Sequence, residues 1–143
     1  MKPFSAASAI VCLGLLTSPA MAEDISKKVS EATKEWNAAF NKQDAKTVTG
    51  YYTDDAMLLP PAEVTVKGAD DIQKFWQSLF DAGFKDHTAE TISTEASGDH
   101  AYQTGTWSAK GDDGKEYRGR VVKIMERKGG TWKTIVHTWN LIQ

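Results

Sequence analysis

The chain of 143 residues contains a single cysteine, Cys12, and only four prolines. One thiol cannot form an internal disulfide, a paired zinc thiolate site or a Cys-x-x-Cys redox pair. Charge of one sign is equally scarce, since 17 Lys+Arg stand against 19 Asp+Glu for a formal net charge of -2. No basic excess exists to neutralise phosphates or an anionic lipid surface, so no nucleic-acid partner is expected. Nor is a metal. The three histidines, His87, His100 and His137, are not at ligand spacing, and Asp54-Asp55 and Asp112-Asp113 lack the alternating oxygens of a calcium loop. A Gly-rich phosphate cradle and a Ser nucleophile elbow are both missing, and no cofactor is expected. What the chain does have is a globular composition: 41% hydrophobic residues, with five Trp, four Tyr and five Phe. Its length sets the expectation at one domain.

Residues Met1 to Ala22 divide into an early positive charge at Lys2, an apolar run from Ala9 to Leu16, and Thr17-Ser18-Pro19-Ala20-Met21-Ala22. This is the layout of a secretory signal peptide. The run is well short of the roughly 20 residues needed to cross a bilayer, and Pro19 closes it. Ala20 and Ala22 suit a signal peptidase, so the mature chain is expected to begin at Glu23, to contain no cysteine, and to reside in a periplasm or outside the cell. Once the signal is removed no membrane association is expected.

From Asp24 to about Gln43, Ile25, Val29, Ala32, Trp36, Ala39 and Phe40 recur at spacings of three and four, tracing one face of a helix. A shorter helix is expected to begin at the N-cap Asp44 and to carry Ala45, Val48, Tyr51 and Tyr52 inward before a turn at Thr53-Asp54-Asp55. Ala56 to Leu59 reads as a short strand stopped by Pro60-Pro61, with Val64 to Val66 returning beside it. A third helix follows Gly68, with Ile72, Phe75, Trp76, Leu79 and Phe80 as its stripe and Gly83 as its stop. Beyond it the period becomes two, and strands are expected over Thr88–Glu95, Ala101–Ala109, Tyr117–Glu126 and Thr131–Ile142. Three N-terminal helices followed by an antiparallel meander imply an α+β fold, the helices packed on one face of a curved sheet.

Read in order, Trp36 to Asp44, Tyr51 to Pro61, and Gly68 with Ile72 and Phe75 resemble the SnoaL-like branch of the nuclear transport factor 2-like superfamily. Ala101 to Trp107 with central Gly105, Tyr117-Arg118-Gly119-Arg120, Trp132-Lys133 and His137-Thr138-Trp139-Asn140 look like that group's terminal strands. The resemblance spans residues 23–143. It implies a ketosteroid-isomerase-like cone in which helices and a bent sheet enclose an apolar pocket, in a superfamily that includes isomerases, dehydratases and polyketide cyclases. Steroid-isomerase members carry a general-base carboxylate just before the proline that matches Pro61; here that position is Pro60, which cannot move a proton. An Asp is common in this branch where His137 stands, so this chain departs from the pattern while keeping an ionisable group.

In such a cone Tyr52, Met57, Leu59, Trp76, Phe80, Trp107 and Trp139 are the large residues expected to turn inward, as plain core or as the lining of a pocket. On the last strand His137 shares a face with Ile135, Trp139 and Leu141, while Trp132 and Val136 lie on the other, so periodicity does not decide which face is inside. Inside, His137 would act as acid, base or ligand contact with Tyr52 as a hydrogen-bond partner, and its titration would make affinity vary between about pH 5 and 8. Lys123 shares the more apolar face of its strand with Tyr117, Gly119, Val121 and Met125; it either lines the pocket or snorkels to the sheet's edge. His87 and His100 are expected in solvent, and Arg118 and Arg120 on the surface or at a dimer interface.

Three functions are therefore expected in order of preference. The first is an exported homodimer that binds a small apolar or aromatic molecule. The second is a cofactor-independent isomerase, cyclase or dehydratase using His137. The third is a dimeric interaction module with a filled core.

Overall fold

The structure, a computed structural model, describes residues 19–142. Cys12 and nearly all of the expected signal segment, residues 1–22, lie outside the described residues. Helix α1 spans Pro19–Asn41 and so begins five residues before the expected Asp24. Helices α2 (Ala45–Thr49) and α3 (Ala69–Asp81) follow, with strands β1 (Tyr52–Leu59) and β2 (Val66–Lys67) between them. Strands β3 (Lys85–Ser97), β4 (His100–Lys110), β5 (Glu116–Lys128) and β6 (Thr131–Trp139) complete the chain. Among the described residues no helix is long and apolar enough to cross a membrane.

Local chemistry explains most boundaries. The Asp44 carboxylate accepts from the Thr47 N–H at 2.9 Å and caps α2. Asp70 and Asp71 occupy the first turn of α3, and Gly83 follows its end at φ 82°, where the left-handed backbone favours glycine. Tyr52 corrects the expectation: it opens β1 rather than closing α2, because the Thr134 N–H donates to the Tyr51 carbonyl and captures the chain for the sheet. The expected turn at Thr53-Asp54-Asp55 is instead an irregularity inside β1, between the paired positions Tyr52 and Met57.

The six strands form one sheet in the order β2-β1-β6-β5-β4-β3. The meander β3 to β6 is antiparallel, whereas β1 runs parallel to β6. The helices cover its concave face, giving the α+β cone. The core joins Trp36 and Phe40 of α1, Val48 of α2, Leu58 of β1 and Ile72, Trp76 and Phe80 of α3. Leu58, Ile72, Val29 and Val48 lose essentially all solvent contact, each worth about 1.5–3 kcal/mol of transfer free energy.

Two irregularities decide what faces inward. Opposite β5, the register of β6 shifts between Ile124 and Met125: Val136 pairs with Ile124 but Thr134 with Met125, leaving Ile135 over. Trp132 and Thr134 are buried before the bulge and His137 after it, so the inward parity of β6 switches at Ile135. In β3 the register shifts between Lys85 and Thr88, where Asp86 adopts φ 53°. That left-handed residue turns His87 toward the helices.

Candidate functional site

The cone encloses space rather than being packed solid. A cavity of about 310 Å³ lies between α1, α3 and the inner face of β3 to β6. Trp36 and Phe40 supply its wall from α1, Phe75, Trp76 and Leu79 from α3, and Trp107, Val121 and Trp139 from the sheet. Pro61, Ala62 and Val64 are exposed and form the rim.

Of the residues singled out in the sequence, Trp76, Trp107, Lys123, His137 and Trp139 line this cavity. Met57 and Leu59 do not. Ala56 and Leu58 are the buried residues of that stretch of β1, and the alternation puts Met57 and Leu59 on the other face. Phe80 is core, its ring 4.9 Å from that of Phe40 and nearly perpendicular to it. Tyr52 lies behind the wall, its hydroxyl 2.8 Å from Nδ1 of His137. Arg118, Arg120 and His100 are exposed.

His87 corrects the expectation of a solvated side chain. It lines the cavity, stacks at 6° on Trp107 with centroids 6.2 Å apart, and its Nδ1 lies 2.7 Å from Oδ1 of Asn37. The Asn37 amide donates toward the Ala89 carbonyl, which orients its oxygen toward the imidazole and makes Nδ1 the protonated nitrogen. Asn41 clamps the same point of β3, accepting from the His87 N–H at 2.7 Å and donating to its carbonyl at 2.8 Å. The usable signal was Asn37 and Asn41, one helical turn apart beside the apolar stripe of α1. Their partner could not be read from spacing alone. Gln103, Thr33 and Thr91 also line the cavity, but they satisfy one another: the Gln103 amide donates to Thr33 at 2.8 Å and to Thr91 at 2.7 Å.

The electrostatics follow from burial. Lys123 does not snorkel; it is 6% exposed, with Nζ 4.7 Å above the centre of the Trp36 ring. Burial lowers its pKa from 10.5 to about 8. His137 is 4% exposed, and burial, the positive charge of Lys123 and His87 together hold it well below the usual imidazole range. That direction favours the neutral imidazole and runs against the expectation that its titration tunes affinity near neutral pH. His87 is lowered to about 3 by burial and by Lys123. Burial raises the Tyr52 hydroxyl well above the tyrosine range, so it remains a phenol. Among the described residues no group of three His, Cys, Asp or Glu side chains is placed to hold a metal ion.

Residues 33–135 match the model of the SnoaL-like domain family. Among solved structures, the chain is similar to a ketosteroid isomerase-like protein from Erwinia carotovora atroseptica at 21% identity, with 82% of this chain and 95% of that chain covered and a TM-score of 0.72. It is similar to an NTF2-like protein with a cystatin-like fold from Novosphingobium aromaticivorans at 14% identity, covering 82% and 81%, with a TM-score of 0.71. An NTF2-like protein from Pseudomonas putida aligns at 18% identity over 83% and 87%, also with a TM-score of 0.71. At these identities the likeness shows the fold. No curated protein sequence matches the chain.

Proposed function

The chain belongs to the SnoaL-like domain family, and from that premise we propose that it binds a small apolar or aromatic molecule in the cone. One observation carries the reading. The cavity is walled by aromatic rings, and its imidazoles are held far below neutral pH, where they accept protons poorly. Binding fits such a set of groups better than acid–base chemistry does. A second reading, a cofactor-independent enzyme with His137 as acid and Tyr52 orienting it, draws on the 2.8 Å Tyr52–His137 hydrogen bond. It requires His137 to donate rather than accept a proton.

The protein works as a homodimer, in a periplasm or outside the cell, after cleavage before Glu23. The short apolar run and the Ala-x-Ala site support export, and intact-mass analysis of exported material tests it by showing whether residues 1–22 are retained.

Four of the five tryptophans line the cavity, so an occupant should alter intrinsic fluorescence. Titration with 2-naphthol is expected to give a saturable one-to-one change. A linear response without saturation would remove the binding reading.

A further inference from the structure

We infer that Lys123 and His137 form a carboxylate-binding floor, so that the cavity's ligand is an apolar monocarboxylic acid held as its anion. This deepens the ligand-binding reading and rests on it.

Among the described residues Lys123 has no counter-charge. Lys123 is the one cation among the residues lining the cavity. Its cross-strand neighbours are neutral: Gln103 on β4, already committed to Thr33 and Thr91, and His137 on β6. From α1 it meets the face of Trp36, and from β3 it acts on His87, which is neutral. Tyr52, behind His137, remains a phenol. Glu90 is the single carboxylate in the lining, and it is exposed. Every ion pair among the described residues joins other side chains, and none includes Lys123. An ammonium this deeply buried is costly without an anion beside it.

The second donor follows from Tyr52. Nδ1 of His137 is the hydrogen-bond partner of the Tyr52 hydroxyl, and the phenol hydrogen has no other acceptor among the described residues. The buried phenol therefore donates its hydrogen to Nδ1 of His137. The neutral imidazole then carries its own hydrogen on Nε2. Lys123 and His137, paired across β5 and β6, thus present donors only, which suits the two oxygens of a carboxylate. The surrounding rings leave an apolar body as the remainder of the ligand. A bound anion would offset the burial that lowers the Lys123 pKa and hold the side chain as the ammonium.

Isothermal titration of the mature chain with benzoate, 3-phenylpropionate and octanoate, each against its own amide, tests the proposal. At least one acid is expected to bind about tenfold or more tighter than its amide at pH 7, with the preference falling about tenfold per pH unit above 8. Lys123→Met and Lys123→Gln should weaken each acid about tenfold or more beyond any change in its amide and so abolish the preference, with circular dichroism confirming the fold of each. Amides binding as tightly as acids, or an acid preference that survives both substitutions, would overturn the floor and leave the apolar-ligand reading standing. If neither acids nor amides bind at millimolar concentration, both readings fall.

Discussion

Tyr52 and His137, 85 residues apart in sequence, meet through a 2.8 Å hydrogen bond between the phenol oxygen and Nδ1. Tyr52 opens β1, and His137 lies on β6 just past the bulge. The bond exists because β1 pairs in parallel with β6, aligning Tyr52 with Thr134 and Leu58 with His137. It holds the imidazole between the rings of Trp36, Trp76 and Trp139, at centroid distances of 6.0, 6.0 and 5.0 Å.

Tyr52→Phe removes that hydroxyl and leaves Nδ1 of His137 buried without a partner. A loss of about 1–3 kcal/mol in urea denaturation is expected. The nitrogen-15 shifts of the His137 ring should move toward a mixture of tautomers. A variant as stable as the parent, with unchanged ring shifts, would show that the hydrogen bond does not set the tautomer.

Lys123 makes stability depend on pH in the alkaline range. Its folded pKa, about 8, lies below the ordinary 10.5 of the unfolded chain, so between these values the unfolded state binds more protons. Stability should therefore rise from pH 8 to about 10.5 and be flat with respect to this group below 8. The full gain is on the order of 3 kcal/mol. Lys123→Met should be more stable at pH 7 and lose this rise, as denaturation midpoints at pH 7.5 and 9.5 would reveal.

Gly105→Ala probes the bend of the sheet. A methyl group there would run into the Glu90 carbonyl, with Val121 Cγ1 at 3.3 Å on another side. Since the obstacle is backbone, β3 must move away, and a loss of about 1–3 kcal/mol is expected. Unchanged thermal stability would mean that β3 yields freely.

The outer face of the sheet exposes Tyr102, Val122 and Ile124 at 41%, 38% and 40%. Tyr102 and Ile124 are register partners, and Arg118 and Arg120 flank them on β5. Such a mixed patch suits a pairing with a second copy. Light scattering at tens of micromolar should give the mass of a dimer, and Ile124→Lys should give a monomer. A parent chain that stays monomeric would remove the assembly.

Ketosteroid isomerisation by the route of the steroid-isomerase members should be absent, because the resemblance puts Pro60 where they carry the base. Turnover of a Δ5-ketosteroid that survived His137→Ala would show that the alignment of Pro60 with their base is wrong.

Hydrophobic periodicity was a sound guide where structure repeats regularly. The stripe of α3 and the inward face of β5, with Lys123 among Val121 and Met125, follow directly from spacing. It failed where a single residue breaks the repeat. The alternation of β6 looked undecided because both faces are inward in turn, Trp132 and Thr134 before Ile135 and His137 after it. His87 was hidden for the same reason: the bulge at Asp86 arises from pairing with β4, and no local pattern announces it. Tyr52 read as helical because its strand partner is supplied from the far end of the chain.

That parallel pairing also sets an order of events during synthesis. The side chain of Thr138 donates to the Leu59 carbonyl across 79 residues, and β6 is the strand that joins β1 and β2 to the meander. A nascent chain halted before Thr131 has its helices, a two-stranded fragment and three meander strands, but nothing to close them into one sheet. Closure over so long a separation is slow compared with local hairpin formation. The aromatic-walled cavity is consequently complete only once β6 has paired with β1, and a chain without that pairing has two separate pieces of sheet and no enclosed site.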